Sequence, residues 1–176
     1  MMPRLHQTKD NGTHFSGGNV KQTLKITGRV RGILRSATTN KILLITPWNH
    51  NIVPTEGLVA IANRLGDIGA KANEGIVTYG AVGTGSSTPL ISDTQMLTEF
   101  FRKLIASAST TNSVSKIQTF LAAGEGNDTL SQFALFGEDA GAGANSGTLF
   151  QYANFAGAIT KTSNETLTIE SELTIA

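Results

Sequence analysis

Residues 166–175 alternate in polarity at every position but one, and few patterns restrict a fold more. Leu167, Ile169, Leu173 and Ile175 interleave with Thr166, Thr168, Glu170, Glu172 and Thr174, leaving Ser171 alone out of character among the apolar set. A period of two places these sets on opposite faces of an extended chain, so the segment reads as a strand buried on one side only. The same pattern opens the body of the chain. Leu24, Ile26 and Val30 share one parity, while Lys25, Thr27, Arg29 and Arg31 take the other. Ala37-Thr38-Thr39-Asn40 then reads as a hairpin turn and Lys41–Thr46 as the returning strand, with Trp48 and His50 at its end.

Further strands are expected at Ile76–Val82, Ser113–Ala122, Gln132–Phe136 and Leu149–Phe155, separated by loops rich in Gly, Ser and Asn. Phe100 and Phe101 mark either another strand or the end of a turn. Leu58, Ile61, Ala62 and Leu65 recur at helical spacing after Pro54, and Gly66 stands where such a helix would stop. Ser92 and Asp93 are placed to cap a second, short helical turn carrying Met96 and Leu97. Glu138–Gly147 reads as an exposed, mobile tip. Residues 1–18 show no periodicity, contain two glycine turn signals and hold too little apolar surface to fold alone. The expected architecture is mainly β: an antiparallel β-sandwich or barrel over residues 20–176, with one or two short helices and an extended N-terminal arm over residues 1–19.

Chemistry is sparse. With no cysteine in 176 residues, disulfides and thiolate zinc sites are excluded. The opening residues lack the apolar core of a signal peptide, and no run approaches a membrane span, so neither is expected. Gly80–Ser87 resembles a phosphate loop superficially, yet no lysine follows Gly85 and Thr88 stands where a dinucleotide fingerprint needs glycine. No nucleophile elbow occurs, and His6, His14 and His50 are scattered. Glu125, Asp128, Glu138 and Asp139 lie in loops that could offer oxygens to calcium, but without the spacing of a helix–loop–helix site. No catalytic residue, cofactor or metal is expected, and the chain reads as a non-enzyme.

Charge is divided unevenly. Residues 1–53 carry eight Lys and Arg against a single acid, a balance of +7, and residues 54–176 carry six against twelve, a balance of −6. Such a split points to an acidic partner, or to further copies of the chain packed basic end against acidic body. Its simpler meaning, for Lys25, Arg29 and Arg31, is the solvated face of a strand. Nucleic acid is not the expected partner, since the basic stretch has almost no aromatic residues for stacking. Arg4, Leu5, Lys9, Phe15, Lys21, Arg29 and Arg31 are the candidate partner-binding residues.

One family resemblance emerges from the order of several segments. Ile76-Val77-Thr78-Tyr79-Gly80-Ala81-Val82-Gly83-Thr84-Gly85, Thr88-Pro89 and Asp93-Thr94 precede Glu99-Phe100-Phe101-Arg102-Lys103. Asn127-Asp128-Thr129-Leu130 leads into Phe133-Ala134-Leu135-Phe136, and Gly147-Thr148-Leu149-Phe150 precedes Ile159-Thr160-Lys161-Thr162-Ser163 and Thr166-Leu167-Thr168-Ile169. Over residues 20–176 this series resembles structural proteins of tailed-bacteriophage virions. The resemblance implies a virion building block and carries no catalytic residue with it. A capsid cement or decoration protein bound to the major capsid protein is the first expectation, located in the virion and made in the bacterial cytoplasm. A tail, neck, baseplate or fibre-associated protein is the alternative. By the same analogy the chain is expected to form homo-oligomers, trimers on three-fold axes being the usual arrangement, with no nucleic-acid or membrane partner. A carbohydrate- or receptor-binding module would need exposed aromatic rings, for which Trp48, Tyr79 and Tyr152 are the candidates.

Overall fold

A computed structural model of the chain describes residues 25–66 and 75–176. The arm of residues 1–19, and with it Arg4, Leu5, Lys9 and Phe15, lies outside the described residues, as does Lys21. The described residues form β1 (Ile26–Ser36), β2 (Ile42–Ile45), β3 (Asn49–Asn51), α1 (Thr55–Gly66), β4 (Val77–Gly83), β5 (Glu99–Leu104), β6 (Ser107–Thr111), β7 (Val114–Leu121), β8 (Thr129–Gly137), β9 (Thr148–Thr160) and β10 (Glu165–Ile175). Two antiparallel sheets result. The larger runs in the order β2-β1-β10-β7-β6, with β3 also on the outer side of β1, and the smaller runs β5-β4-β8-β9.

The alternation in β10 works as its polarity dictates. Leu167 and Ile169 are fully buried and meet Val30, Leu34 and Leu121 of the same sheet. Against them stand Val82, Leu130, Phe133, Leu135, Phe150, Phe155 and Ile159 of the smaller sheet. Gly32 lies beneath Ile159, whose Cδ1 would sit 2.3 Å from any Cβ there, so the two sheets touch closely at that point. Ser171, the polar intruder on this face, is buried, and its hydroxyl donates to Oε1 of Gln151 on β9. The anomaly in the alternation is thus a satisfied hydrogen bond between the two layers.

In the smaller sheet β8 and the first half of β9 are buried on both sides, which explains why they read as nearly continuous apolar runs rather than alternating ones. Ala134, Phe136, Leu149 and Tyr152 face away from the main core and pack on Met96, Ile52 and Ala140 from the covering segments. Residues 84–98 belong to that cover and contain no helix. The short helical turn expected after Ser92 is therefore absent. The Asp93 carboxylate accepts from the Leu90 amide instead, at 2.8 Å, closing a turn. β6 was not expected at all, because Ser107–Thr111 contains no large apolar residue; it is a fully exposed polar edge.

The helix forms where its spacing placed it, and Ile61 of the expected stripe packs on the core, but the most buried positions are shifted from that stripe. Gly57 and Ala60 are its buried residues, whereas Leu65 is 79% exposed. A Cβ on Gly57 would come 3.0 Å from both Leu149 O and Phe150 Cα, so the missing side chain lets the helix rest directly on β9.

Glu138–Gly147 is likewise not a free tip. Arg102 and Glu99, each with a side chain only 3% exposed, form a buried ion pair beneath it. Arg102 Nη2 donates to Glu99 Oε2 at 2.7 Å, and Nη1 reaches Gly141 O, Ser146 O and Ser146 Oγ at 3.0 Å each. Glu99 Oε2 accepts from the Asn145 amide at 2.8 Å, and the guanidinium lies 4.4 Å from the Phe136 ring centre. One charged pair therefore organises the loop from below. Removing one member of a buried pair strands the other charge. Arg102→Met should cost about 3–5 kcal/mol in denaturant unfolding and open Glu138–Gly147 to limited proteolysis. A loop still resistant to protease in that variant would remove the guanidinium from this role.

Candidate interaction surface

The outer face of the larger sheet is built in rows, because antiparallel register sets residues of matching parity side by side. In one row Arg29 stands opposite Glu172, which stands opposite Lys116. In the next, Arg31 opposes Glu170, which opposes Gln118. A third row is apolar but for Thr168: Ile45 of β2, Ile33 of β1, Thr168 of β10 and Phe120 of β7. Two charged rows and one largely apolar row thus share a single sheet face.

The charged rows are closely connected. Arg29 Nε donates to Glu172 Oε2 at 2.7 Å, and Lys116 Nζ lies 3.4 Å from Glu172 Oε1. Arg31 Nε donates to Glu170 Oε2 at 2.7 Å, while Gln118 Nε2 donates to Glu170 Oε1 at 3.2 Å. Trp48, carried back over β1 by the β2–β3 connection, lies with its ring centre 4.5 Å from the guanidinium carbon of each arginine. Each such stack adds about 0.5–1 kcal/mol at a partly exposed site. Arg29 and Arg31, two of the candidate partner-binding residues, are therefore brought together and held in fixed poses. Burial pushes the Glu172 carboxyl upward, but hydrogen bonds and charge from Arg29 and Lys116 outweigh it, and the net shift is below the ordinary carboxylate value.

The other candidates are used within the fold. Gly85 O accepts from Ser131 Oγ, and Ser87 O accepts from Gln132 Nε2 at 2.8 Å and Asn154 Nδ2 at 3.2 Å. The glycine-rich segment is thus strapped to β8 and β9 through its carbonyls, whereas a phosphate cradle would turn amide groups outward. Glu125 pairs with Lys103 at 2.6 Å and accepts from the Ala122 amide at 2.8 Å. The Lys103 hydrogen bond is the largest cause holding its carboxyl below the usual range. Asp128 caps the Thr129 amide at 2.6 Å, and the Thr148 hydroxyl donates to Glu138. Among the described residues no three His, Asp or Glu side chains gather to hold a metal ion. Lys161 is buried, donating to Asn127 Oδ1 at 2.7 Å and Ala123 O at 3.2 Å, and burial pulls its amine below the ordinary lysine value.

Of the three aromatic rings a sugar site would need, Tyr152 is buried with its hydroxyl on Gln132 Oε1 at 3.0 Å, and Trp48 is covered by the two arginines. Two open grooves flank α1. One, of about 550 Å³, is lined by Glu56, Asn63, Glu138 and Thr148 among others. The second, of about 530 Å³, is more apolar, with Ile26, Ile52, Leu58 and Ile61 among its walls.

The returning strand expected at Lys41–Thr46 is β2, but the sequence did not reveal its exposure. Ile42, Leu43, Leu44 and Ile45 are 40–51% exposed, on an edge strand. An apolar run reads as core, and no local signal marks it as an edge. Compared with models of protein families, with curated proteins and with solved structures, the chain matches none.

The Glu172 shift gives a pH signature. A carboxyl held low in the folded state stabilises the fold above its unfolded pKa, and that contribution disappears as pH falls through the folded value. Glu172→Gln should therefore cost about 1–2 kcal/mol at neutral pH. In thermal melts across pH, the gap between variant and parent should close on acidification below the ordinary carboxylate range. A gap that persists unchanged in acid would show that Glu172 acts by packing rather than charge.

Proposed function

We propose that the protein is a non-enzymatic structural component of a tailed-bacteriophage virion, a cement or decoration protein that binds the major capsid protein shell. The ordered resemblance over residues 20–176 supports this reading. The observation that carries it is an asymmetry between the sheets. The middle of the smaller, β8 with the adjoining parts of β4 and β9, is covered on both faces, whereas the outer face of the larger carries a preset Arg–Trp–Arg array beside a largely apolar row that runs out to an exposed edge. Apolar surface next to oriented charge is what protein-docking faces present. Arg29 and Arg31 are the described residues assigned to this contact, with Arg4, Leu5, Lys9, Phe15 and Lys21 of the basic N-terminal segment reaching a neighbouring subunit.

Such a contact need not be strong. An oligomer engaging several equivalent capsid positions multiplies a modest contact through effective concentration. A protein clamped across neighbouring subunits would then oppose their separation under the pressure of packaged DNA. The arrays and hydrogen bonds named above serve geometry and docking, and no step of bond making is assigned to them.

The test is reconstitution on capsids lacking the protein. The full chain should bind at a copy number comparable to that of the capsid protein and raise the temperature at which heads break open. A chain lacking residues 1–18 should fold but bind at least about tenfold more weakly. A handful of copies, recovered with tails after heads are disrupted, would reject the cement reading in favour of a tail, neck, baseplate or fibre position. Undiminished binding by the truncated chain would remove the N-terminal segment from the contact.

A further inference from the structure

We infer that β2 is a self-association edge, pairing antiparallel with β2 of a second copy across a two-fold axis. This rests on the strand alone and holds whether or not the virion reading does. A sheet edge exposes a row of unpaired amide and carbonyl groups, and soluble proteins usually blunt such edges with charge, proline or short polar strands. The larger sheet does this at one end only. Its β6 edge is Ser107-Ala108-Ser109-Thr110-Thr111, hydroxyl-bearing at every position but Ala108 and without a large apolar residue. At the opposite end β2 is Ile42-Leu43-Leu44-Ile45, with every side chain exposed and, among the described residues, no strand on its outer side.

Charge and area choose the occupant. Lys41 precedes the strand, and Pro47, which has no amide hydrogen, follows Thr46 and limits its length. Parallel pairing of two copies would set the two Lys41 side chains together. Antiparallel pairing sends them to opposite ends, about five residues or ~17 Å apart, beyond the screening length at physiological salt. No acidic residue lies between Ser36 and Thr55, so a charged partner strand would find no mixed pattern to read there. A second apolar strand is the complementary surface. The pairing also extends the outer row, since Phe120, Thr168, Ile33 and Ile45 end at this edge and would continue into side chains of the partner's β2.

Four side chains, each 40–51% exposed, make a contact far smaller than the ~800 Å² each partner buries in a standard stable complex. The pair is consequently weak and concentration-dependent in solution. It becomes persistent only where an assembly presents copies to one another.

Sedimentation of the full chain between micromolar and millimolar concentration tests this. The mass should rise with concentration towards twice that of one chain, and Leu43→Lys should weaken association by about tenfold or more. As a measurement that needs no variant, hydrogen exchange at the amides of residues 42–45 should slow as concentration rises, while that of residues 107–111 stays constant. A chain that remains monomeric at millimolar concentration overturns the inference. So does association that Leu43→Lys leaves unchanged, growth to a trimer, or protection of β6 instead. Protection of β2 found only on particles carrying other proteins would assign the edge to a different partner and equally overturn it.

Discussion

The pairing of β1 with β10 is the constraint on which the remaining structure depends. Their register is unbroken from Ile26 opposite Ile175 to Ser36 opposite Glu165, and beyond it Lys25 and Ala176 exchange both backbone hydrogen bonds, at 2.6 and 2.8 Å. Among the described residues this is the contact of greatest sequence separation, and it joins segments of opposite charge. The basic parity of β1 meets the acidic parity of β10, so Arg29 finds Glu172 and Arg31 finds Glu170. Part of the +7/−6 asymmetry of the sequence is therefore neutralised inside one sheet, leaving only the remainder for partners.

The same register decides both faces. Shifting β10 by one residue would carry Ile169 into solvent and Glu170 into the core, because side chains alternate across a strand. With the observed pairing, Leu167 and Ile169 reach the smaller sheet, and Ser171 meets Gln151 there. Outward, the charged rows stack against Trp48 and the apolar row runs to Ile45. Buried polar groups reinforce the arrangement where loops cross the smaller sheet. The Arg102–Glu99 pair, Gln132 and Lys161 each hold a loop by its carbonyl groups. The interior is specific and closed, and chemical variety is left to one outer face and one edge.

The sequence made much of this legible, for identifiable reasons. Alternation in β1 and β10 gave strand, face and the odd status of Ser171, since period two survives wherever one side is solvated. The helix and its Ile61 contact were readable from spacing, but the closest approach was not: Gly57 packs by lacking a side chain, a property that hydrophobic periodicity cannot register. β6 escaped notice because an edge strand of Ser and Thr needs no apolar residue. Glu138–Gly147 looked free because its anchor, Arg102, lies about 40 residues upstream and becomes adjacent only through the β4–β5 and β4–β8 pairings. The surface was half legible. Arg29 and Arg31 stood out by charge, while their stack on Trp48 and the exposure of β2 depend on which strands become neighbours.

A double-mutant cycle on Arg31 and Glu170, read by denaturant unfolding, tests the central register most directly. The two side chains lie 2.7 Å apart across the β1–β10 pair. Arg31→Ala and Glu170→Ala should together cost less than the sum of their separate effects, with a coupling of about 0.5–1 kcal/mol. The same cycle on Arg31 and Glu172, one row removed, should give a smaller value. Coupling that is absent for the first pair, or larger for the second, would contradict the register and the surface built upon it.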